Sequence, residues 1–300
     1  MPSSPNKLSK RYLLASGILL ISLAQGAFSS ELGQGESIVV DSISRSQILT
    51  SDSPEAEFSE KGIAKEASKS VGVESVTSDN VDVYVIPLGY GLPISVLGGD
   101  EFINLSADLP YVNVELPTGN ESGLGDMRVG AEYFIERNNI IFKAAMDIKF
   151  PTGDEENNLG SGSTDFGFSL TGRKRSGDIG FNATAGYILR GEATVNSFKR
   201  DYGNVITLVG GAEYQLKPSF WVGTNAAFIR SGEDEFSVGG NNPGLQTLDL
   251  IPSASFRLNT DMTVVAELII PIQESLVNGT AGAVEPDREV TMSFGFNSEF

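Results

Sequence analysis

From Val81 onward the chain alternates hydrophobic and polar residues with a period of two, the pattern of strands with one apolar and one polar face. The last stretch is the clearest case. Val290, Met292, Phe294, Phe296 and Phe300 take one parity, broken only by Ser298, and Thr291, Ser293, Gly295, Asn297 and Glu299 take the other. Turn residues interrupt the alternation at intervals and divide it into eleven strands. These are expected at 81–97, 102–116, 127–136, 139–150, 164–174, 178–190, 203–217, 219–230, 246–258, 261–273 and 289–300. Most are twice as long as the five or six residues, roughly, of a globular strand.

The connections alternate as well. Short turns at Gly98-Gly-Asp100, Arg137-Asn-Asn139, Arg175-Ser-Gly177, Lys217-Pro-Ser219 and Asn259-Thr-Asp261 take turns with long segments at 117–126, 151–163, 191–202, 231–245 and 274–288. Tight turns on one side and long loops on the other are the plan of an antiparallel transmembrane β-barrel, whose tilted strands need about 9–11 residues to cross. A Greek-key sandwich has no reason to alternate in this way. If the last strand descends to the short-turn rim, strand 81–97 descends too, and an ascending strand must precede it. That makes about twelve, an even count as bacterial barrels require. The twelfth is expected within 30–80, near 37–44.

Strand 139–150 separates the faces. Ile140, Phe142, Ala144, Met146, Ile148 and Phe150 share one, and Ile141, Lys143, Ala145, Asp147 and Lys149 the other. A soluble sandwich would turn the same apolar face inward, so alternation alone leaves the choice open. Aromatic positions decide for lipid. On the apolar parity, Tyr133, Phe142, Phe181, Tyr214, Phe220, Phe256 and Phe300 gather near short turns or the C-terminus, as an interfacial girdle does. The polar parity carries Arg128, Glu132, Lys143, Asp147, Lys149, Asp165, Arg173, Arg190, Glu213, Asp249, Arg257, Glu267 and Glu299. Lys or Arg at the lipid midplane costs about 2–4 kcal/mol, so these residues face the lumen. Two readings stand for them: a mixed-charge pore lining, or a salt-bridged network that fills a narrow barrel.

Composition narrows the chemistry. There is no cysteine and no histidine among the 300 residues. Disulfides, thiolate nucleophiles and imidazole bases or ligands are therefore excluded, and the reading assigns no catalytic residue, cofactor or metal. Asp165 with Glu213 remains a conceivable carboxylate pair, more simply read as lumen charge. The net charge of −18 argues against nucleic acid. Lys7, Lys10 and Arg11, an apolar run from Leu13 to Leu23, and Ala24, Gly26 and Ala27 follow the order of a secretory signal peptide, expected at 1–24. Residues 25–80, rich in Ser, Glu, Lys and Asp, read as a polar periplasmic linker that holds the first strand, and 81–300 as the barrel. The acidic runs Asp154-Glu-Glu156 and Glu233-Asp-Glu235 are either solvated loop charge or a divalent-cation contact at the lipopolysaccharide surface.

Two segments repeat at a spacing of 34 residues: Glu115-Leu-Pro-Thr-Gly-Asn-Glu121 with Gly123-Leu-Gly-Asp126, and Lys149-Phe-Pro-Thr-Gly-Asp-Glu155 with Leu159-Gly-Ser-Gly-Ser-Thr-Asp165. Each ends an ascending strand on Pro and Gly, where no ladder donor is needed. These motifs, with Gly89-Tyr-Gly-Leu92 and Leu109-Pro-Tyr111, resemble the outer-membrane family named for a phenol-degradation (MetA-type) pathway, over most of 81–300. The chain departs from that family by an insertion around 93–100 and by its long acidic linker. The resemblance implies a β-barrel that passes small, often aromatic or hydrophobic compounds, and it supplies no catalytic residues. The terminal aromatics Phe294, Phe296 and Phe300 resemble the closing-strand signal read by the barrel assembly machinery. The expectation is an all-β porin-like transporter of the bacterial outer membrane, in contact with its lipid and lipopolysaccharide. A non-conducting structural or adhesive barrel is the alternative.

Overall fold

β-branched and aromatic residues at every second position form strands because a pleated backbone sends them all to one face. The computed structural model describes residues 68–78, 81–95, 101–116, 119–138, 140–155, 157, 159–195, 198–237, 241–258, 262–277 and 290–299. In chain order the strands are β1 (Ser68–Ser78), β2 (Val81–Ser95), β3 (Glu101–Leu116), β4 (Gly119–Leu124), β5 (Met127–Arg137) and β6 (Ile140–Phe150). Then come β7 (Asp165–Ser176), β8 (Ile179–Leu189), β9 (Glu192–Val195), β10 (Phe198–Asp201), β11 (Val205–Lys217) and β12 (Phe220–Ser231). The last are β13 (Asp234–Phe236), β14 (Asn241–Asn242), β15 (Gly244–Arg257), β16 (Met262–Val277) and β17 (Thr291–Glu299).

Twelve of these pair antiparallel in a cycle: β1, β2, β3, β5, β6, β7, β8, β11, β12, β15, β16 and β17. The cycle closes where β17 meets β1, with Ser70 opposite Glu299 and Val73 opposite Phe296. Closure satisfies every edge and is what lets strands sit in lipid. Following the registers once around returns to β1 about 16 residues from the starting point. With a rise of about 3.3 Å and a spacing of about 4.8 Å, the strands tilt by roughly 40–45° around a backbone radius of about 12 Å.

The eleven expected strands appear with ends shifted by a few residues. The twelfth is β1 at Ser68–Ser78, not at 37–44, which lies outside the described residues. The barrel therefore begins inside the segment read as linker. The 117–126 connection is also not an open loop. β4 returns along β3, Tyr111 opposite Leu124 and Leu116 opposite Gly119, so the hairpin stands above its neighbours. A bulge at Gly125–Asp126 separates β4 from β5, where the Gly125 amide donates to the Pro110 carbonyl at 2.8 Å. At the long-loop end β9, β10, β13 and β14 form a second, four-stranded sheet.

The outer wall is apolar. Leu88, Leu92, Leu105, Val129, Met146, Phe168, Leu170 and Leu208 are exposed on it. Tyr133, Phe142, Phe181, Tyr214 and Phe256 are exposed near the short-turn end, and Tyr111, Phe150, Phe166 and Tyr187 towards the other. An apolar belt between two aromatic levels requires lipid, because water would not tolerate it. Among the described residues no helix is long and apolar enough to cross a membrane.

Candidate functional site

The face opposite the belt is the lumen, and it has two unlike walls. On β5, β6 and β7 the inward face carries charged residues that pair between neighbouring strands. Arg128 Nη1 meets Asp147 Oδ2 at 2.8 Å, and Lys143 Nζ meets Glu132 Oε1 at 3.2 Å. The Asn104 amide donates to the other Glu132 oxygen at 3.2 Å. Lys149, only 1% exposed, meets Asp165 Oδ2 at 2.6 Å. The register explains the packing. Gly167 lies beside Asp147, and a Cβ there would overlap the carboxylate, so the side chain lies flat along the wall. Nearer the short-turn end, Phe102 stacks on Phe134 at 4.6 Å beside Ile141.

From β8 to β16 the inward positions are mixed, with an aliphatic patch towards the long-loop half. Ile188, Val205, Ala227, Ile229, Ile251 and Ile269 form one buried cluster with Val209 against it. Asp249, Glu267 and Thr247 interrupt this wall and are buried. Among the described residues, Glu267 Oε2 and Thr247 Oγ1 have no hydrogen-bond partner.

All twelve lumen candidates fall on the inward parity. Lys143, Lys149, Asp165, Arg173, Arg190, Asp249 and Glu267 are buried, while Arg128, Glu132, Asp147, Glu213 and Arg257 are part-exposed. The structure joins Arg128 with Asp147, Glu132 with Lys143, and Lys149 with Asp165. It keeps Glu213, Asp249 and Glu267 on the other wall, and it sets the Arg257 guanidinium 5.0 Å over the Trp221 ring near the short-turn end. Asp165 and Glu213 are not brought together: one opens β7 at the long-loop end and the other lies near the far end of β11. Phe294 and Phe296 take positions opposite Ala266 and Val264 on β16, and Phe300 lies outside the described residues. Asp108 on β3, beside Arg128 in register, belongs with the candidates by its parity but was not among them. Glu274 is expected at the start of the 274–288 loop, but β16 runs to Val277, and a one-residue register shift between Leu248 and Asp249 sets Glu274 opposite Thr247 on the inward face.

At the long-loop end the lumen meets a mouth built from distant segments. Asp126 accepts from the Gly153 amide at 3.0 Å and from the Ser161 amide and hydroxyl at 2.8 and 2.9 Å. Lys149 Nζ donates to Ser161 Oγ at 2.5 Å. The Tyr202 hydroxyl donates to the Ser161 carbonyl at 2.9 Å, and its ring lies between the Arg190 and Arg200 guanidiniums at 4.2 and 4.3 Å. Asp234, on β13 of the small sheet, meets Arg200 at 2.5 Å and Arg190 at 3.8 Å. By parity Lys149, Asp165 and Arg190 are lining residues. Here they also anchor loops. The available signal was the hydroxyl- and glycine-dense run Leu159-Gly-Ser-Gly-Ser-Thr-Asp165 directly before a strand.

The family described as "Putative MetA-pathway of phenol degradation" matches residues 70–266. Among solved structures, an outer membrane channel from Pseudomonas putida is similar with a TM-score of 0.69 and 14% identity, over 83% of this chain and 99% of that one. The translocator domain of the autotransporter NalP from Neisseria meningitidis gives 0.39 at 9% identity, over 80% and 90% of the two chains, too low to carry an argument. No curated protein matches the sequence. The fold is that of an outer-membrane β-barrel.

Proposed function

The chain belongs to the family of the MetA pathway of phenol degradation, and we propose that it is a passive outer-membrane channel for small molecules with aromatic or otherwise apolar bodies. One observation carries this reading: the lumen sets paired charges on one wall against a buried aliphatic patch on the other. A general aqueous pore gains nothing from Ile229, Ile251 and Ile269 clustered in its lining, since an apolar lining raises the cost of water and ions. A solute with an apolar body and one polar group gains from both walls. The orphan oxygens Thr247 Oγ1 and Glu267 Oε2 on the aliphatic side offer that polar group a partner.

The reading assigns no catalysis. Histidine and cysteine are absent from the chain, and its candidate carboxylate pair lies apart. The twelve inward charged residues serve as lining, and the aromatic closing strand serves as the signal to the assembly machinery. The test is uptake by proteoliposomes of phenol-sized aromatic solutes against sugars of similar volume, beside single-channel conductance in a planar bilayer. Faster entry of the aromatic solutes supports the proposal. Equal exclusion of both classes and no conductance favour the alternative, a non-conducting structural or adhesive barrel, to which the looped-over mouth lends support.

A further inference from the structure

The mouth network has one feature that lining alone does not require. Lys149 Nζ is the cation facing two carboxylates, Asp165 at 2.6 Å and Asp126 at 3.8 Å, and it also donates to Ser161. All of these groups are buried. Asp126 belongs to the bulge before β5, Ser161 to the 151–164 segment, and Asp165 to the start of β7. The Gly191 amide, after β8, donates to Asp165 at 3.1 Å, and Tyr202, before β11, bonds the Ser161 backbone. Ser163 Oγ completes the set with a 2.8 Å bond to Asp165. Because Lys149 points into the lumen, Ser161 can reach it only if 159–164 turns inward at the barrel end.

We propose that Lys149 is the latch that pins this segment across the outer mouth, and that releasing it opens the lumen to the outside. The inference rests on the transport reading for its purpose and not for its test. Without Lys149, two buried carboxylates keep their amide and hydroxyl donors but lose the ammonium that pairs with both, and a buried pair that loses one partner is strongly unfavourable. The simplest relief is for Asp126 and Asp165 to regain water, which requires the segment to lift. The barrel need not change, since β6 keeps its ladders to β5 and β7. The close approach of Gly160 to Asp126 agrees with a fitted closed position: a Cβ on Gly160 would come within 2.5 Å of Asp126 Oδ1.

The chain has no native cysteine, so a single Ser163→Cys reporter, at a side chain with 0% exposure, reads the latch directly. The full chain is refolded into liposomes and treated from outside with a membrane-impermeant maleimide. With Lys149 present the thiol should label slowly. In Lys149→Met with Ser163→Cys it should label at least tenfold faster, with heat-modifiable gel mobility unchanged. Lys149→Arg, which keeps the charge, should restore at least half of the protection. Equal labelling with and without the Lys149→Met substitution overturns the latch, whatever either chain conducts. Faster labelling with at least a twofold rise in single-channel conductance supports latch and transport together. Faster labelling with no conductance or uptake in any chain keeps the latch and refutes the transport reading.

Discussion

Met146→Arg tests the inside–outside assignment most directly. Met146 lies in the middle of β6 on the lipid face, 52% exposed, between the exposed rings of Phe142 and Phe150. Each ring is four residues away, about 10 Å along the barrel axis at this tilt. The apolar band is about 25 Å tall, so the site is close to the midplane. Arginine there should cost about 2–4 kcal/mol, a loss of about 30-fold to nearly 1,000-fold in the folding equilibrium. Ala145→Arg, one residue earlier, places the same side chain in the lumen, in register with Glu132 and Ser169. It should cost less than about 1 kcal/mol, because the charge stays hydrated and has a carboxylate beside it. Urea titration of the chain folding into vesicles measures both. The single tryptophan, Trp221, is buried near the short-turn end and reports folding without a competing signal. Equal costs for the two variants would refute the assignment of faces.

Deleting Phe300, or Phe300→Asp, should lower outer-membrane insertion and leave protease-sensitive chain in the periplasm; unchanged yield of heat-modifiable protein would remove the assembly role. Neutralising Lys143 and Arg173 together should shift reversal potentials toward cation selectivity, since the carboxylates of the lumen are then less balanced; an unchanged potential in a conducting barrel would take both residues off the path. Ile251→Asn, in the middle of the aliphatic patch, should slow aromatic-solute uptake several-fold while ion conductance holds or rises. If both fall in proportion, the aliphatic patch is structural packing rather than a track.

The barrel was legible because lipid imposes one demand on every strand. An outward residue must be apolar, so parity is nearly unbroken along β6, β7 and β8, and the strand ends follow from the turns. β1 escaped the same reading. Val71 and Val73 share a parity that Val76 breaks, and the rest of Ser68–Ser78 is mostly Ser, Thr, Lys and Glu. Its place is fixed by pairing with β17, more than 200 residues away, which no local pattern contains. The mouth was hidden for a similar reason. Asp126 bonds Ser161 across 35 residues and Tyr202 bonds it across 41, so the repeat suggested hairpin ends but not their convergence on Lys149.

The charged parity had left two readings, a pore lining or a plug of salt bridges, and register bears on the choice. A plug needs pairs that cross the lumen. Arg128–Asp147, Lys143–Glu132 and Lys149–Asp165 instead join neighbouring strands. Such pairs lie along the wall, and Gly167 supplies the room for Asp147 to do so. These three pairs take up little of the lumen's width, and at the mouth Lys149 and Asp126 hold Ser161 while Asp165 holds Ser163. If the lumen conducts as proposed, control of passage belongs at the outer end, where one lysine pairs with two carboxylates. The middle of the barrel would set which solutes pass.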